Sequence, residues 1–248
     1  MAKFKPIKTS AFSQQSADEK YPICENISFA SSEAYKRLRT NILFSFAGND
    51  GCKVVGVTSS VRGEGKSITA INLSYSMAQD GKKVLLIDAD MRLSTVAEKL
   101  GISNGSGLSE LLTNQSEDNT VVKDVCAKDD ICGFDVLTSG SIAPNPSELL
   151  GSAKMESIID AFKECYDYIF IDLPPVCVVT DAAVISKYAN GMVIVVRRDV
   201  CRTDSLKETV DQLKFAGANI LGFVYNGSLN EAGKYGYRKY GRYYARKR

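Results

Sequence analysis

Residues 54–67 read VVGVTSSVRGEGKS, an apolar run followed by a turn that contains two glycines and ends in Lys66 and Ser67. The apolar run predicts a buried strand, and helical periodicity from Lys66 to Asp80 predicts a helix that begins at the end of the turn. Glycines in such a turn let backbone N–H groups close around phosphate oxygens, and a helix N-terminus favours negative charge. The stretch therefore predicts a phosphate-binding loop between a buried strand and a helix.

Five further apolar runs follow, separated by stretches with helical periodicity. They are VLLID (84–88), FDVLTSG (134–140), YIFID (168–172), MVIVV (192–196) and ILGFVYN (220–226). Unbroken apolar runs are typical of strands buried on both faces, and the intervening helices indicate parallel pairing. The sequence therefore predicts an α/β fold of the P-loop NTPase type: a doubly wound, mostly parallel sheet flanked by helices. Ligands of such sheets bind beyond the carboxyl ends of the strands.

Cap and turn residues indicate where three other helices lie. A helical pattern opens at Ser32, in the segment that continues EAYKRLRTNILFSF. Asn145-Pro146-Ser147-Glu148 combines a capping residue, proline at the first helical position and glutamate at the third, so a helix should begin there. The segment 203–217 should form another helix, which ends at Gly217.

The turn after the first strand reads Ser60-Val61-Arg62-Gly63-Glu64-Gly65-Lys66-Ser67, which fits a P-loop except that Ser60 replaces the usual leading glycine. The Lys66 ammonium can reach the β- and γ-phosphates of a nucleotide, and the Ser67 hydroxyl can ligate Mg²⁺. The alternative is a chance Gly-x-Gly-Lys-Ser turn in an ordinary loop, but a buried strand and a helix flank this one. We therefore predict phosphate binding at Gly63, Gly65, Lys66 and Ser67.

Aspartates follow two other predicted strands. Asp88 and Asp90 come directly after the second run, and their i, i+2 spacing on an extended segment points both carboxylates the same way. One interpretation is a pair that caps a helix. The other is a carboxylate that faces magnesium, with a second acid that orients or deprotonates a nucleophile. Asp172 ends the fourth run at the Walker B position, so three strand ends together predict a pocket for a nucleoside triphosphate and Mg²⁺.

The composition is that of a globular protein with a core. The chain has 248 residues, 44% hydrophobic and 24% charged, and its apolar runs are too short to span a bilayer. The absence of histidine excludes Ser-His-Asp catalysis and histidine-bound metals. Seven scattered cysteines without a Cys-x-x-Cys pair argue against a disulfide framework or a zinc site and indicate a reducing cytoplasm. Cys126 and Cys132 are better interpreted as buried structural cysteines than as cluster ligands.

Charge is distributed unevenly along the chain. The last 16 residues, GKYGYRKYGRYYARKR, hold seven basic side chains, five tyrosines and no acid. The other 232 residues carry 24 of the 31 basic and all 29 acidic side chains, a net charge of −5. Because the terminal segment has almost no aliphatic residues, it cannot form a core. We therefore predict an extended arm over 1–30, a P-loop domain over 31–232 and a basic, tyrosine-rich tail over 233–248.

The motifs EAYKRLRTNI, VTSSVRGEGKS, VLLIDADMR, NPSELL and YIFIDLPP, with the terminal tyrosines, resemble the bacterial tyrosine kinases of capsule and exopolysaccharide synthesis, of the cytoplasmic CpsD/CapB-like type. The resemblance runs from about Ser31 to the C-terminus. It implies a protein-tyrosine kinase that uses ATP and Mg²⁺, phosphorylates its own tail, and regulates polysaccharide synthesis and chain length. The implied acceptors are Tyr235, Tyr237, Tyr240, Tyr243 and Tyr244.

The resemblance also implies residue roles. Nucleotide contacts would come from Gly63, Glu64, Gly65, Lys66, Ser67, Ile68 and Asn226, the last near adenine. Metal contacts would come from Ser67, Asp88 and Asp172, and catalytic groups from Lys66, Asp88 and Asp90, with the choice of aspartate for the tyrosine hydroxyl left open. The family's self-association motif, Glu-x-x-Arg-x-x-Arg, reads Glu33-x-x-Lys36-x-x-Arg39 here, and lysine cannot form the bidentate contact of arginine. A merely solvated helix face is the alternative for these three residues.

The implied partners are a ring-like homo-oligomer, with the tail of one subunit in the site of a neighbour, a membrane-embedded activator of the polysaccharide co-polymerase type, and a cognate tyrosine phosphatase. The activator would hold the cytoplasmic kinase at the inner face of the membrane. Each phosphate adds a charge of about −1.5 to −2, so successive phosphates should neutralise the tail and loosen the assembly.

Two other classes of protein deserve comparison. A Min/ParA-type switch ATPase carries a signature lysine six residues before the P-loop serine, and Val61 occupies that position here. A nucleic-acid-binding module is suggested by the tail, where basic residues alternate with tyrosines, but the acidic body argues against a dedicated nucleic-acid protein. The kinase is therefore the favoured function, and the switch ATPase is the main alternative.

Overall fold

A computed structural model describes residues 23–113, 127–129 and 132–227. Seven strands in these residues form one sheet. They are β1 (Lys53–Ser59), β2 (Val84–Asp88), β3 (Ala127–Asp129), β4 (Phe134–Leu137), β5 (Tyr168–Asp172), β6 (Gly191–Arg197) and β7 (Ile220–Asn226). Their order is β3-β4-β2-β5-β1-β6-β7, and all neighbours pair in parallel except β3, which is antiparallel to β4.

Helices cover both faces of the sheet, because the strand interiors are apolar on both sides. The helices are α1 (Phe29–Ser45), α2 (Lys66–Ala78), α3 (Val96–Leu100), α4 (Leu108–Thr113), α5 (Pro146–Leu150), α6 (Ala153–Lys163), α7 (Asp181–Ile185) and α8 (Thr203–Phe215). The first three pack with one buried apolar cluster and the last five with the other. The doubly wound, mostly parallel α/β fold predicted from the sequence is therefore confirmed.

The carboxyl edge of the sheet is where chain order reverses. β1 has β5 and then β2 on one side and β6 on the other, so the turns after β1, β2 and β5 meet at one edge. Asp88 at the end of β2 pairs in register with Asp172 at the end of β5. Open parallel sheets bind their ligands at such a point.

The N-terminal boundary of the domain differs from the prediction. Helix α1 begins at Phe29 and not at Ser32, because the Ser28 hydroxyl caps it by accepting the Ser31 N–H at 3.1 Å. Residues 23–30, predicted to be part of an extended arm, contain a 3₁₀ turn at Cys24–Asn26 and the first residues of α1. That part of the arm prediction is wrong.

The cysteine prediction also needs a correction. Cys24 and Cys132 are both buried and form a disulfide, with their Cα atoms 6.1 Å apart. Scattered spacing argued against disulfides, but the fold brings together two cysteines that are 108 residues apart. The other four cysteines in the described residues are free.

Several predictions concern residues outside the described ranges. They include most of the N-terminal arm, Cys126, and the whole tail with its five tyrosines. In the part of the chain that the structure covers, no helix is both long and apolar enough to cross a bilayer.

Candidate functional site

The phosphate-binding loop connects the end of β1 to the start of α2. Gly63 and Gly65 have φ angles of +81° and +92°, in the left-handed region that glycine adopts without steric cost. Gly65 is the N-cap of α2, a helix of 13 residues, so the free N–H groups of that helix lie at the end of the loop. The loop therefore has the backbone that an anion site requires.

The Glu64 side chain holds the loop in place. Its buried carboxylate accepts the Val61 N–H at 2.8 Å within the loop and the Arg197 N–H at 3.2 Å from the end of β6. Arg197 returns a bond from Nη1 to the Gly63 carbonyl at 3.0 Å. Glu64 was predicted to contact the nucleotide. With its side chain directed into the protein, only its backbone N–H is left for such a contact.

Two other predicted nucleotide residues lie beside the loop. Asn226, the last residue of β7, donates from Nδ2 to the Glu64 carbonyl at 3.0 Å and accepts the Gly227 N–H at 2.8 Å. Ile68 lies in the first turn of α2, and its side chain packs against the apolar cluster beneath α1–α3. Any phosphate contact of Ile68 is therefore made by its backbone.

Lys66 lies among carboxylates at the carboxyl edge. Its Nζ donates to Asp90 Oδ2 at 2.9 Å and lies 3.7 Å from Asp172 Oδ2. Burial alone would lower the pKa of Lys66, but Asp172 and Asp90 outweigh burial and raise it above its ordinary value. The side chain is therefore a cation that pairs with two aspartates.

Asp88 combines both interpretations of the aspartate pair. Its carboxylate accepts the N–H of Val96, the first residue of α3, at 3.3 Å, which is a capping contact. It also accepts the Ser94 hydroxyl at 2.7 Å and the Asp90 N–H at 3.1 Å, so the loop after β2 folds around it. Burial, followed by the nearby Asp172, raises the pKa of Asp88 to about 7.

Asp172 has the environment of a cation ligand. Its carboxylate is fully buried, and neither oxygen accepts a hydrogen bond among the described residues. Burial raises its pKa above the ordinary value. A buried carboxylate that accepts no hydrogen bond is costly even with the Lys66 ammonium 3.7 Å away, and a bound cation would lower that cost.

The donor chemistry at this edge fits Mg²⁺. Asp172, Asp88 and the Ser67 hydroxyl offer oxygen ligands, which a small hard cation prefers. In the described ranges, no group of three acidic or cysteine side chains forms a self-contained metal site. Magnesium in nucleotide enzymes needs only one or two carboxylates, because substrate phosphates and water complete its shell. The Ser67 oxygen also receives a bond from Thr95 Oγ1 at 3.1 Å.

The structure brings together the predicted catalytic and metal-binding residues, which come from three strand ends. The predicted self-association residues lie apart from them, on α1. Lys66, Ser67, Asp88, Asp90 and Asp172 meet at the carboxyl edge, with Gly63, Gly65 and Asn226 in the adjoining loop. Glu33 and Lys36 pair with each other on α1 at 2.7 Å. Arg39 turns inward, donating to the Ser76 carbonyl at 2.6 Å and pairing with Asp80 at 3.4 Å near the end of α2.

Sequence reasoning missed the supporting residues of the site. Arg197, Ser94 and Thr95 bond to the loop, to Asp88 and to Ser67 respectively. The available signal was their place at the carboxyl edge, since Arg197 ends β6 and Ser94 and Thr95 lie in the loop after β2. The residue types alone gave no signal of these roles.

Comparison with known proteins identifies the family. A family model described as an AAA domain matches residues 52–219. The tyrosine-protein kinase YwqD of Bacillus subtilis is 39% identical over 209 residues, which cover 83% of this chain and 85% of YwqD. The chain belongs to the bacterial tyrosine kinases. Tyrosine-protein kinase CpsD of Streptococcus agalactiae is 36% identical, over 85% of this chain and 90% of CpsD.

Solved structures support the same family. The kinase domain of the Escherichia coli tyrosine kinase ETK superposes with a TM-score of 0.75 at 32% identity, over 81% of this kinase and 76% of that chain. The cell-division ATPase MinD of Pyrococcus furiosus has a TM-score of 0.58 at 26% identity, over 70% and 71%. The switch-ATPase alternative shares the fold but is not favoured, because the kinases are more similar in sequence and cover more of the chain.

Proposed function

We propose that this kinase transfers the γ-phosphoryl group of ATP to tyrosines of its own C-terminal tail, Tyr235, Tyr237, Tyr240, Tyr243 and Tyr244. The observation that carries the proposal is the position of the last described strand. Strand β7 ends at Asn226, whose side chain bonds to the phosphate loop, and the tail follows in the sequence from residue 233, so a short connection joins the tail to a point beside the site. The tail carries seven positive charges and the site three buried aspartates, so opposite charges attract acceptor and site.

The binding step uses the loop and Lys66. Backbone N–H groups from Gly63 to Ile68 would surround the phosphates, and Lys66 would exchange its aspartate partners for β- and γ-phosphate oxygens. Ser67 and Asp172, together with Asp88, would hold Mg²⁺, which when bound neutralises charge on the phosphates.

The transfer step needs a carboxylate beside the tyrosine hydroxyl. A phenol has an ordinary pKa of about 10, so an acceptor for its proton helps as its oxygen attacks the γ-phosphorus and ADP leaves. Asp90 is better placed than Asp88 for this role. Once Lys66 turns to the phosphates, the Asp90 Oδ2 oxygen is released, whereas both Asp88 oxygens remain bonded within their own loop.

We further propose that the kinase works in an assembly at the membrane. The supporting relatives are putative tyrosine-protein kinase EpsB of Ralstonia solanacearum and tyrosine-protein kinase wzc of Salmonella typhi, in which the matched region is 28% of a longer protein. A chimerical protein, CapA2B2, is also similar, with a TM-score of 0.71 at 37% identity over 78% of this chain and 83% of that chain. These suggest a kinase module that functions with a membrane-embedded co-polymerase, at the inner face of the membrane.

In that assembly, Glu33, Lys36 and Arg39 would contribute to a ring in which the tail of one subunit enters the site of its neighbour. Arg39 would have to leave Ser76 and Asp80 to reach a neighbour, or act by fixing α1 on α2. Phosphorylation would reduce the tail charge and loosen the ring, and a tyrosine phosphatase would reverse it. The cycle would regulate capsule or exopolysaccharide synthesis and chain length.

The test is phosphotyrosine formation on the full chain with Mg-ATP, mapped by mass spectrometry, with and without the cytoplasmic segment of its co-polymerase. We expect phosphate on the tail tyrosines and none in Lys66→Met. ATP hydrolysis without phosphotyrosine in both conditions would favour the switch ATPase instead. Unmodified tail tyrosines beside an exogenous phosphorylated substrate would retain the kinase and reject the proposed acceptor.

A further inference from the structure

An ion pair between a partly exposed arginine and a buried carboxylate anchors the loop after β2. Arg92 donates from Nε to Asp181 Oδ2 at 3.1 Å and from Nη2 to Asp181 Oδ1 at 3.2 Å, a bidentate contact. Asp181, at the start of α7, is fully buried, while the Arg92 side chain is 39% exposed. Ser147 in α5 accepts from Arg92 Nη2 at 3.0 Å and donates to Asp181.

This cluster connects three separate parts of the chain. Arg92 comes from the loop after β2, Ser147 from the NPSELL segment and Asp181 from the helix that follows the turn after β5. Arg92 and Asp181 are 89 residues apart in the sequence. The arginine of VLLIDADMR and the serine of NPSELL had no role in the predicted phosphate site. The fold brings both side chains to the Asp181 carboxylate.

The cluster is linked to Asp90 through one backbone group. The N–H of Leu93, the residue after Arg92, donates to Asp90 Oδ1 at 3.0 Å, while Asp90 Oδ2 faces Lys66. The position of the Leu93 N–H depends on where Arg92 is anchored. A loop that loses this anchor would no longer hold the Asp90 carboxylate in one orientation.

Fold stability alone is a weak reason to bury such a pair. Removing a carboxylate from water is costly, and apolar residues of similar volume are often equally stabilising. A bidentate arginine contact fixes direction as well as distance, which a packed apolar side chain does not. The geometry therefore indicates that the cluster sets the position of the loop.

We propose that Asp181, acting through Arg92 and Ser147, is a positioning residue for phosphotransfer that holds Asp90 toward the acceptor hydroxyl. The inference rests on the proposed function. Within the described ranges, neither Asp181 nor Arg92 hydrogen-bonds the phosphate loop, so the cluster should govern turnover and not nucleotide affinity. A misplaced catalytic group can reduce a rate by as much as about 100-fold, and we expect a loss of about 10- to 100-fold in kcat.

The experiment compares the full-length wild type with Asp181→Asn, Arg92→Lys, Arg92→Ala and the double variant Arg92→Lys/Asp181→Asn. Asp160→Asn is the matched control, because it breaks an exposed pair with Lys163 on α6. For each protein we would measure kcat and KM for ATP from tail phosphotyrosine, the Kd of a fluorescent ADP analogue, and the midpoint of thermal unfolding. Guanidinium at a non-denaturing concentration would be added to Arg92→Ala, since Arg92 is open enough for a small cation to replace its head group.

We expect all three single variants of the cluster to lose kcat with Kd unchanged within about twofold, the double variant to lose no more than the worse of its two single variants, and guanidinium to restore part of the Arg92→Ala rate. Asp160→Asn should behave as the wild type. The proposal would be overturned if kcat were unchanged, if the two losses added in the double variant, or if guanidinium restored no activity. It would also be overturned if nucleotide affinity and the thermal midpoint fell in step with kcat. If Asp181→Asn does not fold, the Arg92 variants and their rescue decide. A wild type without tail phosphotyrosine would instead contradict the proposed acceptor.

Discussion

The two glycines of the phosphate loop offer a matched pair for one quantitative prediction. Both have positive φ, so alanine at either position suffers backbone strain of about 1–2 kcal/mol. Their surroundings differ. A Cβ atom on Gly63 would meet nothing within 4 Å, whereas a Cβ on Gly65 would overlap Asn226 Nδ2. Gly65→Ala must therefore also move the Asn226 side chain from its bond to Glu64.

The size of each effect follows from these contacts. Strain of about 1–2 kcal/mol corresponds to roughly 5- to 30-fold in an equilibrium constant. Loss of one hydrogen bond adds about 1 kcal/mol, or about another fivefold, for Gly65→Ala alone. In an Asn226→Ala background the overlap is removed, so Gly65→Ala should then cost no more than Gly63→Ala.

The assay combines two measurements, because strain lowers nucleotide affinity if the empty loop relaxes and lowers fold stability if it does not. We would measure the Kd of a fluorescent ADP analogue and the free energy of unfolding in urea, and add the two free-energy changes for each variant. Equal totals for Gly63→Ala and Gly65→Ala would refute the role given to Asn226. So would a Gly65→Ala excess that persists in the Asn226→Ala background.

Three further predictions concern stability and pH. Asp172→Asn should raise the free energy of unfolding at pH 7 by about 1–3 kcal/mol while abolishing Mg-ATP turnover, because the carboxylate accepts no hydrogen bond and the cost of its burial outweighs the attraction of Lys66 at 3.7 Å; the gain, followed by urea unfolding, should vanish below about pH 4, where the carboxyl is protonated in the folded and the unfolded chain alike. Burial would raise the pKa of Glu110, but hydrogen bonds from Ser141 and the Gly107 N–H lower it to about 2. Glu110→Gln should therefore lower the free energy of unfolding at neutral pH, and its difference from the wild type should disappear as the pH falls from about 4.5 to 2. A difference that stays constant across that range would contradict the prediction. Reduction of the Cys24–Cys132 disulfide opens a loop of 108 residues and should cost up to about 4–5 kcal/mol, visible as a lower urea midpoint with dithiothreitol in the wild type but not in Cys24→Ser.

Strands were the most predictable part of this fold. The apolar runs at 84–88 and 168–172 coincide with β2 and β5, because strands buried on both faces need unbroken apolar sequence. The run at 220–226 coincides with β7, but the expectation that it is buried on both faces is wrong, since β7 is an edge strand without a buried residue. The edge strand β3 was missed, since three residues paired on one side carry no such signal. The start of α1 was placed three residues late, because exposed Phe29 gives no hint that Ser28 is the cap.

The proximity of the chemical residues was also predictable, from one rule about strand ends. Lys66, Asp90 and Asp172 follow three different strands, and parallel pairing brings their turns to one edge. Contacts between distant segments were not predictable in this way. The Arg92–Asp181 pair and the Cys24–Cys132 bond depend on loop paths that no local pattern in the sequence encodes.

The Glu64 carboxylate restrains the phosphate loop through contacts made within the protein. It joins the loop to β6 by accepting one backbone N–H from each. Little conformational entropy is then lost when a triphosphate enters, so association should proceed without a slow rearrangement. The rate at which ATP replaces ADP would then be set by the dissociation rate of ADP. The turnover rate would depend on product release more than on rearrangement of the phosphate loop.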